Sequence, residues 1–223
     1  MKKCGIPLLL ISILFPGLAF GQLPPNQPEQ DCINAISICQ NIFVQPNSYQ
    51  AEGINPNEIN PGFSCLLSGE RNDTWYIFTV QTSGDIGFTI TPFTITDDFD
   101  WAVYNLTSAS CADIAINGAL EVSCNYSGIP GATGPNGMQV GPVSQFNPLI
   151  PVNAGETYVI NVSNFTGSST GYVLDFSVST ATIFDSIPPI MKLIHSSCNS
   201  TNIELFFGEN VVCNTVDPSD FTV

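Results

Sequence analysis

The residues that decide the fold are Thr74-Trp75-Tyr76-Ile77-Phe78-Thr79-Val80, a run with apolar side chains on both of its possible strand faces. A strand with one solvent-exposed face alternates apolar and polar residues, whereas a strand covered on both faces does not. This run is therefore predicted to be a central strand with a layer of protein on each face.

Five more short runs predict strands, because turn-forming residues separate them and none shows a helical period. In the last run, Tyr172, Leu174 and Phe176 alternate with less apolar neighbours, which indicates one buried face. The runs are Asp85 to Thr91, Asp100 to Leu106, Leu120 to Cys124, Thr157 to Ser163 and Gly171 to Ser179. This spacing predicts that residues 22–186 form an all-β antiparallel sandwich of the jelly-roll type.

Residues 126–151 contain five glycines and five prolines with scattered apolar side chains. We expect a long exposed loop. Loops of this length often carry function, although a solvated insertion without a partner fits the composition equally well.

The first residues read as a secretory signal peptide spanning residues 1–21. Lys2 and Lys3 precede the apolar stretch Ile6 to Phe15, and Ala19-Phe20-Gly21 offers a cleavage site. The apolar stretch is shorter than the roughly 20 residues that span a bilayer. We therefore expect a secreted or outer-surface protein with no integral membrane segment in the mature chain.

The charge of the chain excludes one class of partner. Cleavage after residue 21 would remove two of four basic residues and no acidic ones, so the net charge changes from -15 to 2 minus 19, about -17. Only Arg71 and Lys192 remain to neutralise phosphates, which excludes nucleic-acid binding. An excess of carboxylates attracts calcium, but it also serves solubility.

The cysteines agree with export, because structural disulfides persist outside the cytosol. The short spacing of Cys111 and Cys124 predicts one disulfide, and Cys198 with Cys213 predicts another. Cys39 and Cys65 are candidates for a third. Cys32 competes with them, so the sequence leaves open which of the three is unpaired.

Catalysis is not predicted, because the chain has a single histidine, His195. Ser/His/Asp and Cys/His mechanisms need an imidazole beside the nucleophile, and zinc proteases need two histidines one helical turn apart. A glycosidase with paired carboxylates remains compatible with the composition.

The most specific candidate for a functional site is a calcium site. Asp97, Asp98 and Asp100 lie at the start of a predicted strand, and Glu70 and Asp73 would join them if the two loops share one end of the sandwich. Calcium takes six to eight oxygen ligands of this kind. The alternative is that Asp97 and Asp98 are turn residues and that Asp100 bonds a neighbouring backbone group.

Aromatic side chains are candidates for stacking on a ligand such as a sugar ring. Trp101 and Tyr104 lie in a predicted strand, where core packing is the more frequent fate. Tyr126 and Phe146 bracket the Gly/Pro-rich stretch and remain the ligand-contact candidates.

A second unit is expected at residues 187–223, after Ile187-Pro188-Pro189. Ile203 to Phe207 predicts a strand, and Phe221-Thr222-Val223 begins another. We expect an incomplete domain that continues beyond residue 223.

Two blocks resemble known modules. Gly69 to Val80, followed by Phe88-Thr89-Ile90 and Asp97 to Tyr104, resembles the N-terminal module of large secreted Bacteroidetes proteins that carry gliding-motility-associated C-terminal domains and type IX secretion sorting signals. Val152 to Phe176 is similar to bacterial pre-peptidase C-terminal domains and CUB-like jelly rolls. Residues 187–223 resemble the opening strands of a bacterial Ig-like repeat.

The resemblance implies a non-catalytic extracellular or cell-surface binding or adhesion module of a larger protein. Its partner would be a polysaccharide, a matrix component or a protein ligand, and further Ig-like domains would follow. CUB-like modules hold calcium through acidic loop residues, which implies the same for the acidic set named above. The alternative is an accessory, substrate-targeting domain of a secreted protease or glycosidase whose catalytic domain lies outside this chain.

Overall fold

The computed structural model describes residues 26–38, 40–67, 69–138, 144–184, 191–195 and 204–207. The predicted signal peptide, Cys39, Cys198 and Cys213 lie outside these residues, so the signal peptide and the Cys198–Cys213 pair stay predictions.

Thirteen strands are the main regular structure of the described residues, and the helices are single turns. The strands are β1 Ile36–Ser37, β2 Ile42–Asn47, β3 Asp73–Thr82, β4 Gly84–Ile86, β5 Thr89–Pro92, β6 Phe99–Asn105, β7 Glu121–Asn125, β8 Ile150–Val152, β9 Thr157–Asn164, β10 Thr170–Asp175, β11 Thr182–Phe184, β12 Met191–His195 and β13 Glu204–Phe207. The helical turns are α1 Cys111–Ile114 and the 3-10 segments Pro28–Gln30, Cys32–Asn34 and Gly118–Leu120.

The strands form a β-sandwich, which confirms the predicted all-β class, while the jelly-roll type stays a prediction. One sheet has six strands in the order β1-β3-β9-β6-β7, with β11 also paired to β3, and the facing sheet has the order β2-β10-β5. Each predicted run overlaps a strand, although the run Asp85 to Thr91 is divided into β4 and β5. β1 runs parallel to β3, so the larger sheet is mixed rather than wholly antiparallel.

Strand β3 is central and buried on both faces, as its composition predicts. One face carries Tyr76, Phe78 and Val80 into the core between the sheets. There the Tyr76 hydroxyl lies 2.6 Å from the hydroxyl of Tyr172 on β10, so a hydrogen bond joins the two sheets. The other face carries Trp75, which is fully buried in a second apolar cluster.

The second cluster exists because loops cover the outer face of the large sheet. Ile59 and Leu66 come from the segment before β3, and Ile114 comes from α1. They pack on Trp75 and Tyr104 from the sheet. This covering layer makes the molecule three layers thick at the large sheet.

Two disulfides hold the covering layer in place. Cys32 is bonded to Cys111, and Cys65 is bonded to Cys124. The predicted Cys111–Cys124 pair is therefore wrong, and so is the candidate pair of Cys65 with Cys39, because Cys65 is bonded to Cys124. The physical reason is that Cys111 begins α1 and Cys124 lies in β7, where each meets a covering segment from the N-terminal part of the chain rather than its neighbour in sequence.

The stretch from Tyr126 to Pro151 is not a simple exposed loop, which corrects a second expectation. Thr133 is buried and pairs with Ile90 through two backbone hydrogen bonds. The Trp101 indole N–H donates to the Thr133 hydroxyl over 3.0 Å. Gly134, at φ +140°, lies so close to the Phe88 carbonyl that a Cβ would collide with it. The stretch is thus fastened along the edge of β5.

Beyond the sandwich, β12 and β13 form an antiparallel hairpin. Strand β13 confirms the strand predicted at Ile203 to Phe207, and the Ig-like nature of residues 187–223 stays a prediction. None of the helices in the described ranges has the length and apolar character needed to cross a bilayer.

The disulfide pairing gives the first testable prediction. Peptide mapping of the unreduced full chain should find Cys32 linked to Cys111 and Cys65 linked to Cys124. Replacing Cys32 and Cys111 together by alanine should lower the free energy of unfolding by about 2–5 kcal/mol, because a long loop is no longer closed in the unfolded state. A Cys111–Cys124 linkage in the map would contradict the assignment.

Candidate functional site

A pocket of about 200 Å³ lies on the covered face of the large sheet, at the end where β6 begins and β9 ends. Its floor includes Asp98, Asp100 and Ser163. Its rim includes Leu67, Arg71, Tyr126 and Phe165, all of which are exposed. The remaining lining residues are Leu66, Gly69 and Gly128.

The register of β3, β9 and β6 determines which residues form the floor of the pocket. Asp73 and Asp100 are both paired with Ser163, so β3, β9 and β6 carry these three residues side by side on one face. Directly opposite side chains in an antiparallel pair lie about 4.5–5.5 Å apart. The same face carries Trp75 and Ala102 two residues further along, so it changes from apolar to polar toward the pocket.

Arg71 reaches the rim because of the turn that precedes β3. Gly69 at φ +65° and Asn72 at φ +48° both adopt the left-handed conformation, which only glycine and a few residues such as asparagine accept readily. The Asn72 side chain accepts from the Ala51 amide and donates to the Asn164 carbonyl. The turn is thereby fixed, with buried Glu70 directed inward and exposed Arg71 outward.

The acidic floor is held from β9 and the turn after it. The Asp98 amide donates to the Thr166 hydroxyl over 2.8 Å, and the Phe165 amide donates to the Asp98 carbonyl over 3.0 Å. Asn164, which is fully buried, donates to Ser48 and Ser168 and fixes this turn from within. These bonds engage the backbone of Asp98, and its carboxylate forms no hydrogen bond with any other described residue.

Two aromatic rings flank the opening. Tyr126 is 57% exposed and Phe165 is 43% exposed. The buried side chain of Asn125 donates to the Ser144 carbonyl and accepts from the Ser127 amide, which fixes the backbone on both sides of Tyr126. The guanidinium carbon of Arg71 lies 4.8 Å from the centre of the Phe165 ring.

The charged groups of the pocket are near one another but are not bonded together. Within the described residues, the Arg71 guanidinium forms no hydrogen bond or ion pair, and its contact is the Phe165 ring. One oxygen of Asp100 is buried without a partner. The pKa of Asp100 is raised to about 7, mainly by burial and also by the charge of Asp98, while the charge of Arg71 opposes the rise.

Behind the pocket lies a second group of carboxylates that solvent does not reach. Glu70 is 3% exposed and accepts from the Glu58 amide, while Asp73 is fully buried and accepts from the Asn161 amide group over 2.6 Å. Each keeps one buried oxygen without a hydrogen bond. The pKa of Glu70 is raised to about 9 and that of Asp73 to about 8, mainly by burial and in part by neighbouring carboxylates.

The five residues predicted as calcium ligands are distributed over three places. The Asp97 carboxylate accepts hydrogen bonds from Ser168 and Thr170, so it serves the turn, as the alternative interpretation expects. Asp98 and Asp100 line the pocket, and Glu70 and Asp73 lie in the buried group.

The carboxylates do not fit one calcium site as they stand. Among the described residues, no three of them bring oxygens within 4.8 Å of one another, whereas Cys65, Glu121 and Cys124 do approach that closely. The sulfurs of that group are joined in a disulfide and offer no thiolate to a metal. Calcium binding itself stays a prediction.

Of the two aromatic residues predicted to contact a ligand, one lines the pocket and the other does not. Tyr126 lies on the rim of the pocket, but Phe146 is half-buried and does not line it. Trp101 and Tyr104 are buried in the two apolar clusters, as expected of strand residues. Sequence reasoning did not single out Arg71 and Phe165 as site residues, although Arg71 is the only arginine in an acidic chain, which was the available signal.

Comparisons with protein-family models, with curated proteins and with solved structures found no match for this chain.

The buried carboxylates predict the pH dependence of stability. A pKa raised on folding means that the folded state holds protons that the unfolded state has lost. The stability from Asp73 and Glu70 is thus complete below about pH 4, where ordinary carboxyls are protonated. It is lost as the pH rises toward their folded pKa values of about 8 and about 9.

We expect the melting temperature of the full chain, measured in chelator, to fall between pH 5 and pH 9. The Asp73→Asn variant should show a smaller fall, since asparagine can still accept from Asn161 and does not ionise. Glu52→Gln, which changes an exposed carboxylate, is the control and should keep the wild-type slope. A melting temperature that rises over this range would contradict the assignment.

Calcium is tested in the same measurement at pH 9, where the buried carboxylates are most ionised. A ligand present at 100 times its dissociation constant stabilises the folded state by about 2.7 kcal/mol. If the acidic set holds calcium, the ion should raise the melting temperature above its value in chelator, and Glu70→Gln should reduce the gain. Equal melting temperatures would remove the calcium proposal.

Proposed function

We propose that the chain is a non-catalytic extracellular binding module of a larger secreted or cell-surface protein, and that it contacts its partner through the pocket beneath Arg71 and Tyr126. The observation that carries this proposal is the set of unpaired polar groups in the pocket. The guanidinium of Arg71 and the carboxylates of Asp98 and Asp100 share one small concavity without bonding to each other.

Unpaired groups of this kind support binding because they are costly to leave without partners. Polar groups that are half-buried lose part of their hydration, and a ligand that bonds to them restores it. Ligand sites typically combine apolar lining with a few convergent polar groups. Leu66, Leu67, Tyr126 and Phe165 supply the apolar part here.

Rigidity of the lining further supports a binding role. Asn72, Asn125 and Asn164 each fix the backbone beside a pocket residue through side-chain hydrogen bonds. Anchored walls reduce the entropy that is lost when a ligand is bound. The two disulfides fasten the covering layer that carries Leu66 and Arg71 to the rest of the molecule.

Extracellular placement and adhesion rest on the signal-peptide pattern and on the resemblance to surface proteins of Bacteroidetes. The disulfides agree with an oxidising compartment. The non-catalytic part of the proposal rests on the chain having a single histidine, His195, in strand β12.

Binding is tested by passing the purified full chain over immobilised extracellular polysaccharides and matrix proteins. We expect retention on at least one support, and at least a tenfold loss of affinity in the Arg71→Ala and Tyr126→Ala variants. Phe93→Ala is a matched control, because Phe93 is 52% exposed and does not line the pocket.

Both pocket side chains are exposed, so their variants should keep the wild-type melting temperature. Two results would overturn the proposal: no retention on any support, or equal retention of the wild type and the pocket variants.

A further inference from the structure

The pocket holds donors and acceptors that need to be satisfied together by whatever binds there. Arg71 offers the donors of a guanidinium, which cannot accept, and the carboxylates of Asp98 and Asp100 accept in their ionised form. The Ser163 hydroxyl, on the floor, already donates to the Asn161 side chain and is left to accept. A ligand that satisfies all of them has to donate and accept within a span of a few ångströms.

Simple ions do not meet this requirement. An anion that pairs with Arg71 would lie against Asp98 and Asp100, and it would approach a chain whose net charge is about -15. A cation that pairs with the two aspartates would meet the fixed charge of Arg71. Each ion satisfies one half of the pocket and is repelled by the other.

Neighbouring hydroxyl groups on a carbon ring do meet it. Each hydroxyl donates one hydrogen bond and accepts others. Two adjacent hydroxyls can donate to a carboxylate and accept from the guanidinium fork without adding any charge. The rings of Tyr126 and Phe165 offer flat apolar surfaces on which the C–H face of such a ring can pack.

The position of Arg71 adds to this argument. Its guanidinium is stacked against Phe165 at 4.8 Å and takes no partner among the described carboxylates, although the charge of Arg71 acts on Asp100. The gap between donor and acceptor is therefore open to a bridging group. The volume of about 200 Å³ suits a single ring with its hydroxyls rather than a long chain segment.

We propose that the pocket binds one uncharged sugar residue of a polysaccharide, with adjacent hydroxyls bridging Asp100 and Arg71 and with Tyr126 against the ring. This inference rests on the proposed binding function and names the class of ligand for the same site. The rest of the polysaccharide extends out of the pocket past the exposed rim.

The side chain of Arg71 itself reports on ligand binding. Arg71 is the only arginine, so the full chain gives a single arginine side-chain Nε–H signal in a nitrogen-correlated NMR spectrum. Both tryptophans are fully buried and would report little, whereas this signal comes from the rim of the pocket. Its shift on titration places the ligand without further assignment.

The titration uses oligosaccharides of glucose, mannose and galactose as uncharged probes. Galacturonic acid oligomers serve as the anionic probe, glucosamine oligomers as the cationic probe, and a zwitterionic dipeptide as the probe that carries both charges. We expect at least one uncharged oligosaccharide to shift the Arg71 signal. By calorimetry it should bind at least ten times more tightly than any of the charged probes.

Variants separate the roles of the side chains. Arg71→Lys keeps the charge but loses the fork, and Asp100→Asn keeps an acceptor but loses the charge. Each should weaken binding of the uncharged sugar about tenfold to a hundredfold, as loss of a charge-assisted hydrogen bond does. Tyr126→Ala should weaken binding as well, whereas Tyr126→Phe should restore it and Ile95→Ala, an exposed control outside the pocket, should leave it unchanged.

The outcomes distinguish this inference from the proposed function. If a charged probe, or a matrix protein on the support, binds in a manner lost in Arg71→Ala, the binding function holds and the sugar assignment is overturned. If uncharged sugars bind equally to the wild type and to Arg71→Lys, Asp100→Asn and Tyr126→Ala, the assignment to this pocket is overturned. If nothing binds and the Arg71 signal never shifts, both proposals fail.

Discussion

A strand that is apolar on both faces has to be covered twice, and most of this molecule follows from that requirement on β3. The sheet β2-β10-β5 covers one face and gives the usual core of a sandwich. The other face would expose Trp75 and Ile77 to water. The loops that bury them form a third layer, and the pocket lies where that layer reaches the end of the sheet.

The hydrophobic pattern predicted the strands at the centre of the large sheet, because burial is a requirement that acts on the residues of each strand separately. It did not predict β1, β2, β8, β11 or β12. The pattern predicted both the double burial of β3 and the one-sided burial of β10. The disulfide pairing could not be predicted from it, because pairing depends on which segments meet across the third layer. Cys32 and Cys111 lie 79 residues apart, and no periodic signal joins them.

The site was partly predictable for the same reason. Asp98, Asp100 and Tyr126 drew attention as polar or aromatic residues beside predicted strands, and all three line the pocket. Asp97 looked identical to Asp98 in sequence, yet it bonds to Ser168 and Thr170 because the turn after β9 happens to face it. Arg71 and Phe165 lie 94 residues apart in the sequence, and their contact becomes apparent only in the folded sheet.

The disulfides have a mechanical consequence if the chain serves in adhesion as proposed. A pulling force that enters the chain before Cys32 passes through the bond to Cys111 and bypasses the residues between them. At about 3.4 Å per extended residue, a separation of 79 positions represents about 270 Å of chain that tension cannot draw out. The turn that carries Arg71 and the strand that carries Asp100 both lie inside this shielded length, whereas Tyr126, Ser163 and Phe165 lie beyond Cys111. The disulfide therefore shields the charged side of the pocket from tension.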